Sequence, residues 1–236
     1  MVEEAVEYGV EYIGIGMAHR GRLSTLANVL NKPFQKIFSE FQEIIDKEEW
    51  GNSGDLKYHL GTSSEREING KKIQLSVMPN PSHLEVEAPL AMGHVRAIKD
   101  SLRNQEKSMV VILHGDAACA GQGIVYETLQ MSRLNAYNTN GVIHIVTNNQ
   151  IGFTTTPAEA RTGLYPTDVG KSTQTPIVHV NADEPEEVDK VIKFAIAYRQ
   201  KFKKDIFIDI IGYRRHGHSE TDQPTYYSFD LVSHSQ

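Results

Sequence analysis

Asp116 and the pair Asn148-Asn149 supply the residue types from which a hard-cation site is built. The aspartate lies in Leu113-His114-Gly115-Asp116-Ala117-Ala118, the asparagines in Ile145-Val146-Thr147-Asn148-Asn149-Gln150-Ile151-Gly152. Each cluster ends a short apolar run, residues 109–113 and 142–146. If both runs are parallel strands, a carboxylate and a carboxamide stand side by side at the carboxyl edge of a sheet. That edge is where open α/β folds bind ligands. With nearby backbone carbonyls the two groups form an all-oxygen set, suited to Mg²⁺ and especially to Mg²⁺ that also carries phosphate oxygens. Taken alone, the glycine-rich segment from Gly115 to Gly123 fits a tight strand-to-helix turn with a capping aspartate equally well.

Other polar clusters flank this pair. His19 and Arg20 sit in Gly16-Met17-Ala18-His19-Arg20-Gly21-Arg22. An arginine fork there suits phosphate or carboxylate, although two arginines alone fit a solvated basic helix start. His59 follows Lys57-Tyr58, Ser63-Ser64 lie just beyond it, and Asn80-Pro81-Ser82-His83-Leu84-Glu85 comes later. Arg214-Arg215-His216-Gly217-His218 could bind anions or pair with Glu220 and Asp222. No histidine spacing matches a zinc site. His144 and His179 are expected to pack near strands, and Cys119 to fill a small apolar gap.

The elements that must position these groups alternate. Strands are expected at residues 13–17, 72–78, 109–113, 142–146, 177–180 and 206–211. Helices are expected at 22–30, from Pro33 to about 41, through 87–102, at 124–134 and from Pro185 to 202. Residues 46–55 and 153–171 read as loops, the second long enough to be functional. The order β-α-β-(loop)-β-α-β implies an α/β fold, doubly wound, with a mostly parallel sheet flanked by helices. Asp116, Asn148 and Arg214 then fall after strands and converge at one edge.

Composition narrows the class. The chain has 236 residues, 39% apolar and 23% charged, with a net charge of −6. That balance argues against a general nucleic-acid binder. One cysteine excludes an intramolecular disulfide within these residues and favours a reducing compartment. No apolar run approaches the ~20 residues of a membrane span. The acidic start lacks a signal-peptide layout, and the abrupt ends suggest residues 1–236 are a single domain of a longer protein.

Gly-Asp after a strand, then Asn-Asn some thirty residues on, resembles the thiamine-diphosphate motif of transketolase-like enzymes. Those enzymes usually have Gly-Asp-Gly. Ala117 at the third position resembles instead the 2-oxoglutarate dehydrogenase branch, as do seven further stretches. These are His19 to Leu23, Asp55 to Gly61, Asn80 to Glu85, Gly121 to Thr128, Asn148 to Thr154, Tyr165 to Asp168 and Tyr213 to His218. The resemblance, which runs almost the whole length, is to the cofactor-binding central domain of the decarboxylating component.

That resemblance implies roles. Asp116, Asn149 and the Ile151 carbonyl would hold Mg²⁺. Arg20, Ala117, Ala118 and Asn149 would lie along the diphosphate, and Leu84 would touch the aminopyrimidine. His19 and His59 would face the reacting centre, with His59, Ser82 and Ser63 near the 2-oxoglutarate carboxylates. It also implies succinyl transfer to the lipoyl group of a partner dihydrolipoyl succinyltransferase and a homodimer. The compartment would be the mitochondrial matrix in a eukaryote or the cytoplasm in a bacterium. The activating glutamate of a separate pyrimidine-binding domain is not recognisable here, so these residues alone are expected to turn over negligibly. Competing readings are a 2-oxoadipate-directed relative, a non-oxidative 2-oxo acid decarboxylase, a Mg²⁺-dependent phosphohydrolase, and a non-catalytic binding module on the same fold.

Overall fold

A computed structural model of the chain describes residues 1–42, 59–101, 106–219 and 221–222. The expected loop at 46–55, most of the Asp55 to Gly61 cluster, and Glu220 lie outside them. Among the described residues the strands are β1 (Tyr12–Met17), β2 (Thr62–Ile68), β3 (Lys71–Val77), β4 (Ser108–Gly115), β5 (Val142–Asn148), β6 (Ile177–Asn181) and β7 (Ile206–Ile211). They form one sheet in the order β2-β3-β1-β4-β5-β7-β6. Every neighbouring pair is parallel except β2 and β3.

The central strands are apolar runs because both of their faces are covered. Ile13, Ile15, Met17, Val111 and Ile143 pack on one face with Ala195 and Ile196 of α8 (Pro185–Phe202) and with α1 (Val2–Glu7). On the other face Tyr12, Val110 and Ile112 meet Ala88, Ala91 and Val95 of α4 (Glu87–Ser101). Gly14 and Gly16 make that second contact possible. A Cβ at Gly14 would come within 2.3 Å of Val95 Cγ2, and one at Gly16 within 3.0 Å of the Glu87 carbonyl. Cys119 does fill an apolar gap, beside Val125, Leu129, Val146 and Phe207. No described helix is long and apolar enough to cross a membrane.

The topology fixes where a ligand belongs. After β1 the chain builds β3 on one side of it, then returns to place β4 on the other side. Winding reverses between β1 and β4, and the carboxyl ends of such strands frame the crevice at a switch point. Ala18-His19-Arg20 follows β1, and Asp116 follows β4.

Three expectations change. The polar edge strand β2 is absent from the hydropathy pattern, yet it pairs with β3 around Asn69-Gly70, both at positive φ. That dipeptide is a strong hairpin signal. The helix expected at 124–134 is α6 (Gly123–Met131), and a further short helix, α5 (Asp116–Gly121), precedes it, separated by Gln122 in an extended conformation. The stretch 153–171 is not a bare loop. It holds α7 (Pro157–Ala160), where the Glu159 carboxylate accepts the Thr156 hydroxyl at 2.9 Å, and much of a 3-10 helix, Pro166–Thr173. Short helices of three-residue period leave no 3.6-residue signal.

One internal clamp carries a stability prediction. Arg199 of α8 is fully buried and donates to the carbonyls of Gly141 at 3.1 Å, Ser108 at 2.9 Å and Thr139 at 3.1 Å. Burial draws its pKa down to about 10, still charged at neutral pH. Arg199→Ala strands those carbonyls and is expected to destabilise the fold by ~3 kcal/mol or more. Arg199→Lys should recover little, since an ammonium lacks the fork that reaches three acceptors. Urea unfolding measures both; a loss below ~1 kcal/mol in the alanine variant would reject the clamp.

Candidate active site

A cleft of about 240 Å³ opens at the carboxyl ends of β1, β4 and β5. His19, Arg20, Leu84, Asp116, Ala117, Ala118, Asn149 and Ile151 line it, joined by His114, Gly152, Arg214 and His218. Asp116 opens α5 and is almost wholly buried. Burial pushes its carboxyl above the ordinary aspartate range, opposed chiefly by Arg161, whose Nη1 lies 3.7 Å from Oδ2. No described cluster of three or more His, Cys, Asp or Glu could hold a metal. A cation here would therefore rest on Asp116, amide and carbonyl oxygens, with further ligands from elsewhere.

The loop after β5 turns the two asparagines to different uses. Asn148 is buried, and its Oδ1 accepts the Gln150 N–H at 3.1 Å. Asn149 faces the cleft, and its Oδ1 accepts the Ile151 N–H at 3.2 Å. Gly152 then passes so close to α5 that an added Cβ would lie 2.7 Å from Ala117 Cβ.

Cationic groups form the opposite wall. Arg20 donates to the His218 carbonyl at 3.4 Å, and Arg214 donates to the Phe153 carbonyl at 3.3 Å. Arg22 behaves differently from a solvated helix start. It is fully buried, donating to the carbonyls of Leu60 at 2.9 Å and Met78 at 2.5 Å, and so ties the ends of β1 and β3 together.

Comparison with known proteins gives the family. Residues 3–236 match the family model described as the dehydrogenase E1 component. The chain belongs to that family. It is 54% identical over 231 residues to the mitochondrial 2-oxoglutarate dehydrogenase of Dictyostelium discoideum, covering 96% of this chain and 23% of that protein. The mitochondrial 2-oxoglutarate dehydrogenase of Saccharomyces cerevisiae is 49% identical over 230 residues, with coverage of 96% and 23%. The 2-oxoglutarate dehydrogenase E1 component of Bacillus subtilis is 44% identical over 243 residues, with coverage of 95% and 26%. This E1-family chain thus spans about a quarter of the length of the curated relatives it matches.

Eight of the expected site residues of this E1 chain meet in the cleft, and three do not line it. His59 stays near enough to act on His19 electrostatically, and its carbonyl accepts the Asn80 N–H at 2.7 Å. Ser82 is exposed in the turn before α4. Ser63, on β2, lines a separate cleft with Lys32 and Lys36, and its hydroxyl donates to Ser76 at 3.1 Å.

The structure also adds members that the sequence left unassigned. His114 bonds Glu85 through Nδ1 at 2.5 Å and His144 through Nε2 at 2.9 Å. Glu85 is buried at φ 67, a left-handed conformation uncommon for a residue with a side chain, and it directly follows Leu84. No local pattern announces that pairing. Arg214 and His218 had a signal, the basic run after β7, which the sequence read as able to bind anions.

His19 gives a pH prediction. Burial lowers its pKa below 6.5, helped by Arg20, His218 and His59. The unfolded chain thus binds this proton more readily than the folded one. The associated stability is present above about pH 6.5 and is lost as pH falls through that value. Histidine-labelled NMR should place the His19 midpoint below 6.5, and Arg20→Gln should move it upward. A midpoint at or above 6.5 would contradict this electrostatic picture.

Proposed function

We propose that this chain supplies the Mg²⁺ and diphosphate side of a thiamine-diphosphate site that decarboxylates 2-oxoglutarate. The observation that carries the reading is the meeting of Asp116, Asn149 and Ile151 with Arg20 and Arg214 in one switch-point cleft. The donor set fits the cofactor: hard oxygens for Mg²⁺, arginines for phosphate charge, and small residues where the diphosphate backbone must approach. When bound, thiamine diphosphate supplies the electron sink that loss of carbon dioxide from a 2-oxo acid requires.

The chain's own residues bind and orient. Asp116, Asn149 and the Ile151 carbonyl hold the metal. Arg20 and Arg214 offset the diphosphate charge, and Ala117 and Ala118 leave it room. Leu84 forms an apolar wall for the aminopyrimidine. His19, kept neutral by its surroundings, donates an N–H to a substrate carboxylate or to oxygen charge as it develops. His59 adds a second imidazole from the β2 side, and Ser82 a hydroxyl. The product acyl group passes to a lipoyl-bearing succinyltransferase, and the full protein is a homodimer. A eukaryotic source would place it in the mitochondrial matrix, a bacterial one in the cytoplasm.

The test uses the full-length protein. Calorimetry should detect thiamine diphosphate binding that depends on Mg²⁺, and turnover should favour 2-oxoglutarate over 2-oxoadipate. Preference for the longer acid would reassign the substrate. Absence of cofactor binding would leave a binding module on an E1 fold.

A further inference from the structure

A hydrogen-bond chain, buried at Asn148 and Asp209, runs from the cleft loop out to the edge of the sheet. Asp209, on β7, is fully buried. Its Oδ1 accepts from Asn148 Nδ2 at 3.1 Å, and its Oδ2 lies 2.9 Å from His179 Nδ1 on β6. Tyr165 covers that imidazole, with ring centroids 3.9 Å apart. At the other end the Asn148 Oδ1 receives the Gln150 N–H, and the Gln150 side chain donates to the Gly212 carbonyl at 2.7 Å. Gln150 itself stands at φ 60 between Asn149 and Ile151.

A carboxylate is an expensive residue at this point of a sheet. Its neighbours on β7 are Ile208 and Ile210, and an apolar side chain would avoid the desolvation cost. What the carboxylate does is remove a choice. An asparagine amide can present either its oxygen or its nitrogen in a given direction. An ionised carboxylate only accepts, so it draws Asn148 Nδ2 towards itself and turns Oδ1 to the Gln150 N–H. His179, donating from Nδ1, in turn occupies the second carboxylate oxygen.

We infer that Asp209 and His179 are positioning residues for the metal-holding loop. They fix the orientation of the Asn148 amide, and through Gln150 they hold Asn149 and Ile151 facing Asp116. The inference rests on reading the cleft as a Mg²⁺ and diphosphate site. Neither residue touches the cleft, so they act on metal affinity through the loop.

Calorimetry of the full-length protein with Mg²⁺ and thiamine diphosphate tests it. The His179 side chain is one-third exposed, so its replacement is compatible with folding. His179→Ala is expected to weaken Mg²⁺ binding about tenfold, as loss of outer partners of metal ligands does, and Asp209→Asn by up to about a hundredfold. His179→Asn, whose amide nitrogen stands in the place of Nδ1 and can donate to Asp209, should restore most of the affinity. Excess Mg²⁺ should recover turnover in His179→Ala, a rescue that simple loosening of the sheet would not give. If Asp209→Asn does not fold, the two His179 variants decide the matter. Binding by the unaltered protein with unchanged Mg²⁺ affinity in His179→Ala overturns the inference alone. No binding by the unaltered protein overturns the reading of the cleft and the inference with it.

Discussion

Asp116→Asn in the full-length protein is expected to weaken Mg²⁺-dependent binding of thiamine diphosphate by more than about a hundredfold, beyond the range seen for outer partners of metal ligands. Asp116 is the one carboxylate among the described residues lining the cleft. Without it a divalent cation keeps amide and carbonyl oxygens but no anionic protein ligand, and hard cations depend on ligand charge. The asparagine keeps the shape at the first position of α5, so the loss reports charge.

Stability should move the other way. Burial raises the Asp116 pKa, which means that folding disfavours the charged form. A neutral residue removes that cost, although Arg161 loses a neighbour 3.7 Å away. The expected result is cofactor binding nearly abolished in a protein whose unfolding midpoint is not lowered. Calorimetry and thermal unfolding on one preparation read both. Binding within about threefold of the unaltered protein would remove Asp116 from the metal site.

The site was legible in the sequence where its residues follow strands. His19 and Arg20 leave β1, Asp116 leaves β4, and Asn149 and Ile151 leave β5, so locating each strand located its residue. What stayed hidden depends on pairing between distant segments. Asp209 reads in sequence as one polar residue in an apolar run, and its link to Asn148 spans 61 residues. Glu85 and His114 are 29 apart and meet only because α4 starts beside the end of β4. Arg22 illustrates the opposite error. Its charged neighbours suggested a solvated helix start, whereas it is buried and donates to three carbonyls inside the protein. Strand β2 was missed because an edge strand with one exposed face carries little apolar signal.

Gly152 carries the second large effect, through space alone. A Cβ there would stand 2.7 Å from Ala117 Cβ, far inside normal contact between two carbon atoms. Neither partner is the flexible end of a long side chain, so relief must come from the backbone. The loop from Asn149 to Phe153 would move away from α5, taking Asn149 and Ile151 away from Asp116. Displacement on the order of 1 Å in a catalytic arrangement costs about a hundredfold. Gly152→Ala is expected to lower cofactor affinity by roughly that factor, and Gly152→Val by more. The fold should survive, because the clash lies between a loop and the first turn of α5 rather than between core layers. The decisive variant is the double one. Ala117→Gly removes the atom that the new Cβ would strike. Gly152→Ala combined with Ala117→Gly should bind the cofactor close to the level of Ala117→Gly alone. Such recovery is a coupling between neighbouring sites that independent defects do not show. If the double variant is as impaired as Gly152→Ala, the contact between Gly152 and Ala117 does not set the distance between the two halves of the proposed metal site.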